Sequence, residues 1–405
     1  MYTYKLGISA QEHDDFVKHH PQANLLQSAS WAKIKDNWGN ERVGFYQDGK
    51  LVASASILIR PLPLGMSMFY IPRGPVMDYS NQELLAFVFS SLKKFAKQKK
   101  ALFIKFDPNL RLKEGLIGEE AADNPETLAI INQLQQLGAI WTGRTSSLDE
   151  TIQPRFHAVI RKEHFKEDLL SKSTKQAIRT ARNKGVDIIF GGEELLDDFT
   201  SLMKKTEARK QISLRGRDYY AKMLATYPGH SYLTMARLDI AKRLDSLQAA
   251  LDKNQQEASK FTEKTKANKI NNNQEERERL TEEISFLHHQ KKKGHKLLPL
   301  AGTLTLIYGQ TSENIYAGMD EEFRRYQPAI LTWYETAQEA FNRSCTWQNM
   351  GGIENDLNGG LYHFKSKFNP IIEEYVGEFN LPTSFFYHLS NYAYTLRKKL
   401  RSNKH

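Results

Sequence analysis

The chain has 405 residues, with 57 Lys and Arg against 47 Asp and Glu, a formal net charge of +10, and 40% hydrophobic residues. That length and apolar fraction suit two domains plus an insertion, and the positive balance favours polyanionic partners such as nucleic acid, nucleotide phosphates or an anionic membrane surface. A single cysteine, Cys345, excludes a disulfide framework and a Cys-based metal site; Met1-Tyr-Thr-Tyr-Lys has no apolar core of signal-peptide type and no run approaches the ~20 apolar residues that span a bilayer, so a cytoplasmic setting is expected.

In the first half, helical spacing runs from about Gln11 to His19, and a second helix is expected through Gln27-Ser-Ala-Ser-Trp31-Ala-Lys33-Ile-Lys35. Val43 to Tyr46 and Leu51 to Ile59 are rich in strand formers, and Asp48-Gly49 between them signals a hairpin. Phe69 to Pro75 reads as a strand entering a Pro/Gly turn. Gln82 to Lys97 has helical periodicity, and Ala101 to Phe106 is a short apolar strand with Asp107-Pro108 at its carboxyl end.

The second half repeats this logic. Phe156 to Ile160 is a strand, and Ser173 to Lys184 is a basic helix stopped by Gly185. Val186 to Phe190 is a strand and Glu194 to Lys205 a helix; strands follow at Ser231 to Ala236, Ala301 to Tyr308 and Glu313 to Ala317. Pro328 to Asn342 is a long helix, Trp347 to Met350 a strand ending in Gly351-Gly352, and Thr383 to Lys399 a terminal helix with a basic last turn.

Between Asp239 and Lys296 the globular pattern is interrupted. Apolar residues fall at Ile240, Leu244, Leu247 and Leu251, then again at Leu280, Ile284 and Leu287, around a polar stretch from Glu257 to Asn273. Two helical stripes around a polar tip predict an antiparallel hairpin inserted between two strands of one sheet. Such an arm is expected to grip a large partner or to act as a spacer or dimer contact, with little core surface depending on it. Its thirteen basic and ten acidic residues nearly balance, so Lys291, Lys292 and Lys293 at its base are the better RNA or membrane contacts.

No Walker loop is present, and no G-x-G-x-x-G follows a strand. His288-His289 lies on the charged hairpin, where a surface pair outweighs a metal site; no metal is expected. The fold class is α/β, two acetyltransferase-like domains with mixed sheets plus the inserted helical hairpin. The loop with which acetyltransferases hold the CoA pyrophosphate is missing: Gln348-Asn-Met-Gly351-Gly352-Ile353 ends in Ile where a small residue is needed. Acetyl-CoA is therefore not the expected donor.

Five strings in order carry a resemblance: Gln27 to Lys35, Tyr70-Ile-Pro-Arg73-Gly-Pro75, Phe106-Asp107-Pro108, Ser171 to Gly185, and Gly360-Leu-Tyr-His-Phe364-Lys365-Ser-Lys-Phe368. Together they resemble the Fem ligases, the aminoacyl-tRNA-dependent transferases that build peptidoglycan interpeptide bridges, and within that family the streptococcal MurM and MurN type. The resemblance covers nearly the whole chain. It implies acetyltransferase-like domains at 1–152 and 153–377, the hairpin at 239–297, and a C-terminal segment 378–405 packed back on the first domain. It also implies transfer of Ala or Ser from aminoacyl-tRNA to the stem-peptide Lys side chain of lipid II, or to a first bridge residue. Aminoacyl-tRNA is then a co-substrate, no cofactor is needed, contact with the inner membrane surface is peripheral, and no stable protein partner is implied.

The same resemblance implies roles. Lys365 matches the family lysine that stabilises the oxyanion or leaving oxygen, and Asp107 the aspartate that deprotonates or positions the acceptor amine; orientation ranks first, since an ordinary Asp is a weak base at neutral pH. Lys35, with Lys33 as its rival, and Arg215 match cations that hold the acceptor pyrophosphate. Tyr219 matches a family tyrosine near the nucleotide or muramoyl portion, on one face with Arg215 if that stretch is helical. The family's Y-x-Y-G is replaced by Ile315-Tyr316-Ala317-Gly318, so Tyr316 is not carried over. Lys175, Arg179 and Arg182 on the basic helix contact tRNA or anionic headgroups, or form a solvated face. Two rivals stay open: a tRNA-dependent transferase with another acceptor, and a non-catalytic tRNA-binding scaffold.

Overall fold

In the computed structural model, which describes residues 1–387, β1 (Tyr2–Leu6) pairs antiparallel with β2 (Gly39–Gln47), and β2 turns into β3 (Lys50–Pro61) at Asp48-Gly49. Both turn residues have positive φ, 50° and 83°, which suits a tight hairpin. Between β1 and β2 lie α1 (Ala10–Lys18) and α2 (Ala29–Ile34), the latter capped by the Ser28 side chain on the Trp31 amide. β4 (Ser67–Arg73) adds antiparallel to β3, as does the short β5 (Val76–Met77). The crossover α3 (Gln82–Gln98) then allows β6 (Ala101–Pro108) to run parallel to β4. Leu84, Leu85, Val88, Phe89, Leu92 and Phe95 form the buried face of α3.

β7 (Arg111–Leu116) leaves this sheet, and α4 (Pro125–Gln136) leads to β8 (Ile140–Trp141). β9 (Phe156–Arg161) belongs, like β7, to the second sheet. α5 (Lys172–Asn183) follows, ended by Gly185 at φ 78°, then β10 (Val186–Gly191), α6 (Leu196–Lys210), α7 (Arg217–Thr226) and β11 (Ser231–Asp239). After the arm come β12 (Leu297–Tyr308), β13 (Thr311–Met319), and α10 (Pro328–Asn342), which returns the chain to β14 (Trp347–Ile353) parallel to β13. α11 (Gly360–Lys365), β15 (Ile371–Tyr375) and β16 (Phe379–Pro382) complete the described chain.

Strand exchange ties the halves together. Among the described residues the first sheet has the order β1-β2-β3-β4-β6-β16-β8 with β5 on β3, and the second β10-β11-β12-β13-β14-β9-β15-β7. Each sheet therefore holds one parallel seam among antiparallel strands, as the expected pair of mixed sheets. At the seams Pro72 stands opposite Asp107, and Glu313 opposite Asn349. β16 brings the C-terminal segment back onto the first sheet, with Phe379 stacked on Phe106 at 5.1 Å; most of the expected terminal helix at 383–399 lies outside the described residues.

The arm is α8 (Ile240–Ala258) and α9 (Ala267–Lys292), joining paired β11 and β12. Two expectations are corrected. The polar stretch from Glu257 to Asn273 is not all tip: its last seven residues lie inside α9, and Asn273 and Asn254 exchange side-chain to carbonyl hydrogen bonds of 3.1 and 2.9 Å that clasp the helices. Nor is the arm independent of the core. Ile240, Leu244, Leu247, Leu280 and Leu287 are buried in the same cluster as Phe323, Tyr326 and Ile330. Arg243 Nε and Nη2 donate to Glu283 Oε1 at 2.9 and 2.7 Å, and the Tyr326 hydroxyl donates to the same oxygen at 2.9 Å. Stripe residues near the root pack inward, so only the distal part projects.

Candidate active site

Asp107 is the penultimate residue of β6 and is 1% exposed. Its Oδ1 accepts the Arg73 amide at 3.0 Å, and Oδ2 lies 3.5 Å from the Tyr70 hydroxyl. Burial, with Glu378 adding repulsion and Arg73 opposing both, lifts the carboxyl to about 7. The premise that Asp107 is an ordinary weak base thus does not hold at this position.

Lys365 closes α11 and is 5% exposed, so it is not a surface lysine. Its Nζ donates to the Gly352 carbonyl at 2.7 Å and lies 5.9 Å from the Trp333 ring centroid. Burial lowers the ammonium to about 7, against the attraction of Glu354. Gly351 is at φ 86°, and a Cβ there would sit 3.4 Å from Nζ, so glycine leaves the lysine its place.

A second group lies between α2 and α7. Lys35 Nζ donates to the Tyr219 hydroxyl at 3.4 Å, and the Arg215 guanidinium stands 5.0 Å from the Tyr219 ring centroid. Burial and the Arg215 charge both lower the Lys35 ammonium below its usual range. Two cations that share Tyr219, with no carboxylate bonded to either among the described residues, would welcome an anion. α7 starts at Arg217, so Arg215 precedes it, and the expected shared helical face is replaced by a loop-to-helix juxtaposition. Lys33 is exposed, whereas Lys35 is half-buried, which separates the two. Tyr316 packs edge-on against Tyr219 and Tyr220 at 6.5 and 5.0 Å, so it does reach this group.

The other basic candidates lie apart from both groups. On α5, Arg182 Nη2 pairs with Glu335 at 2.9 Å, Lys175 Nζ donates to the Asp168 carbonyl at 3.3 Å, and Arg179 is exposed. Lys291, Lys292 and Lys293 are exposed at the arm's base. A cavity of about 480 Å³ beside Tyr362 includes Lys113, Arg144 and Arg155, but these are paired with Asp123 and Glu374.

Four polar residues not assigned from sequence surround Asp107 and Lys365: Arg73, His157, Glu313 and Asn349. Arg73 ends β4 and His157 is near the start of β9, while Glu313 and Asn349 lie within β13 and β14; they converge from different elements, which no local motif signals. The only clue is Arg73 within the Tyr70 to Pro75 string.

This fold of two mixed sheets, with an arm between strands of the second, is shared with relatives that are named transferases. A lipid II:glycine glycyltransferase of Staphylococcus aureus (strain bovine RF122 / ET3-1) is 31% identical over 402 residues, 93% of this chain and 92% of that protein. The protein of the same name in strain USA300 is 29% identical over the same shares. A crystal structure of FemX matches with a TM-score of 0.74 and 28% identity, covering 94% of this chain and 97% of that one. The FemAB family profile matches residues 8–395, and the chain belongs to that family.

Proposed function

We propose that the protein transfers Ala or Ser from aminoacyl-tRNA to the Lys side chain of the lipid II stem peptide, or to the first bridge residue there. The observation that carries this reading is the burial of Asp107, near the end of β6, and of Lys365, at the end of α11, in a chain of the FemAB family. The reaction is aminolysis of an ester: the amine attacks the carbonyl, its proton leaves, and the tRNA 3′ oxygen departs. A carboxyl near 7 is matched to take the amine proton, and an ammonium near 7 to support the oxyanion or protonate the leaving oxygen. The ester is already activated, so ATP has no role in this step.

The Lys35, Arg215 and Tyr219 group supports an acceptor that carries a pyrophosphate. Relatives bearing the name glycyltransferase support lipid II as acceptor; their donor is glycine, and the choice of Ala or Ser for this chain rests on the sequence resemblance alone. Among the described residues no helix is long and apolar enough to cross a membrane, and reaching lipid II is assigned to peripheral contact through Lys291, Lys292, Lys293 and the α5 cations. The test is incubation with lipid II and tRNAs charged with radiolabelled Ala, Ser or Gly. Label on lipid II from alanyl- or seryl-tRNA supports the reading. Label only from glycyl-tRNA overturns the donor, and no label overturns the reaction.

A further inference from the structure

The two parallel seams meet at one histidine. Arg73 ends β4 in the left-handed region, φ 50°, where a non-glycine residue is held only by its surroundings. Its guanidinium is 3% exposed, sits 4.1 Å from the Tyr375 ring centroid, and donates from Nη2 to the Pro154 carbonyl at 3.2 Å and to His157 Nε2 at 2.9 Å. Nε2 also lies 3.1 Å from the Pro154 carbonyl, which Arg73 Nη2 already reaches; because the guanidinium can only donate, Nε2 is assigned as its acceptor and the His157 proton is assigned to Nδ1. That proton goes to Asn349 Oδ1 at 3.1 Å; Asn349 Nδ2, 2.9 Å from Nδ1, is a second donor and makes no bond to it.

Asn349 is oriented by its other partners. The Gly351 amide donates to Oδ1 at 2.7 Å, and Nδ2 donates to Glu313 Oε2 at 3.3 Å, across the second seam. Gly351 precedes Gly352, whose carbonyl receives Lys365 Nζ. An unbroken set of hydrogen bonds and adjacent peptides thus runs from Asp107 through the Arg73 amide and guanidinium, His157, Asn349 and the Gly351-Gly352 turn to Lys365. Every side chain in it is less than a tenth exposed. Buried networks satisfied in this way fix geometry, because each broken bond leaves an unpaired polar group in low dielectric.

We propose that Arg73, His157 and Asn349 are positioning residues that bridge the two sheets and hold Asp107 and Lys365 in one mutual geometry. This rests on the aminoacyl transfer proposed above and assigns the bridge no contact with substrate. Displacement of a reacting group by about an ångström costs up to about a hundredfold in rate, so the bridge acts on kcat rather than on substrate affinity.

The test uses the full chain and two readouts. The first is transfer from alanyl-, seryl- or glycyl-tRNA to lipid II. The second needs no substrate: competitive acetylation of Lys365 by acetic anhydride across pH, read by mass spectrometry. The groups facing Lys365 in that titration are the Gly352 carbonyl, the Trp333 ring, Glu354, Lys210 and His157. His157→Ala should lower kcat by about tenfold or more with both KM values within about twofold, and should move the Lys365 labelling midpoint up toward that of a free lysine. His157→Gln retains an acceptor for Arg73 and a donor for Asn349, and should recover most of both. If His157→Ala does not fold, Asn349→Ala interrupts the bridge on the other side and is judged by the same two measures. Wild-type kcat with an unmoved midpoint in a folded variant, or a Gln variant as impaired as Ala, overturns the bridge. Absence of transfer by the wild type would overturn the function instead, and the labelling midpoints alone would then decide the bridge.

Discussion

Lys365 Nζ meets the Gly352 carbonyl at 2.7 Å in a setting that lowers its ammonium to about 7. A lysine that is half charged near neutrality, with a neutral partner, is free to turn to a developing negative oxygen. Lys365→Met should therefore depress kcat strongly and leave the KM for lipid II nearly unchanged. A hundredfold loss corresponds to about 2.7 kcal/mol of transition-state stabilisation. Steady-state kinetics check this, and activity within about twofold of wild type would remove Lys365 from the chemistry.

Asp107 makes a prediction about stability. Its folded value of about 7 lies above that of an exposed Asp, so the folded state binds the proton more tightly than the unfolded state and stability falls as pH rises from about 4 to 7. Asp107→Asn keeps the Oδ1 acceptor for Arg73 and cannot ionise. The variant should match wild type near pH 4 and exceed it above pH 7, by an amount on the order of a few kcal/mol. Thermal melts at both pH values measure the difference; an equal gap at each would show that burial does not control this carboxyl. The same variant should lose transfer activity.

The acceptor cations give a third expectation. Pyrophosphate charge is present in ground and transition states alike, so Lys35→Ala and Arg215→Ala should raise the KM for lipid II more than they lower kcat. Lys33→Ala, at the exposed rival position, should do neither. Initial rates over a lipid II titration separate the three.

Much of this fold is legible in the sequence because its long elements follow the apolar periods closely. α3, α10, β3 and β12 are such cases, and the Asp48-Gly49 hairpin falls where turn chemistry puts it. The strands at Arg111–Leu116 and Ile371–Tyr375 are not legible: Lys113, Glu114, Glu373 and Glu374 interrupt their apolar pattern, and the buried Glu373 is neutralised only in the fold, by Arg111 and Arg161. The arm's stripe is legible as helical but not as core, since periodicity shows which face is apolar and not what covers it. Asp107 and Lys365 stood out through their strings. His157, Glu313 and Asn349 did not, since only folding brings their strands together.

At the arm, root and tip should separate. Glu283 is 2% exposed and bonded to Arg243 and Tyr326; burial raises its carboxyl, but Arg243 and Lys184 outweigh that and the net shift is downward. Its contribution is thus present above the unfolded carboxyl value and lost as pH falls through the folded one. Glu283→Ala should destabilise the protein by about 3–5 kcal/mol, since it leaves the Arg243 charge buried and unpaired. Replacing only the projecting segment, residues 252–275, with a Gly/Ser linker should preserve the melting temperature while raising the aminoacyl-tRNA concentration needed for half-maximal rate. Calorimetry and tRNA titrations decide between this and an arm that serves self-association.

The most direct measurement is the identity of the product. Lipid II is incubated with the full chain and either alanyl- and seryl-tRNA or acetyl-CoA, and the stem peptide is sequenced by tandem mass spectrometry. The expected result is one added Ala or Ser residue on the Lys side chain, or on the bridge residue already there, dependent on charged tRNA. An acetyl group from acetyl-CoA, or an unmodified stem peptide with every charged tRNA, would contradict it.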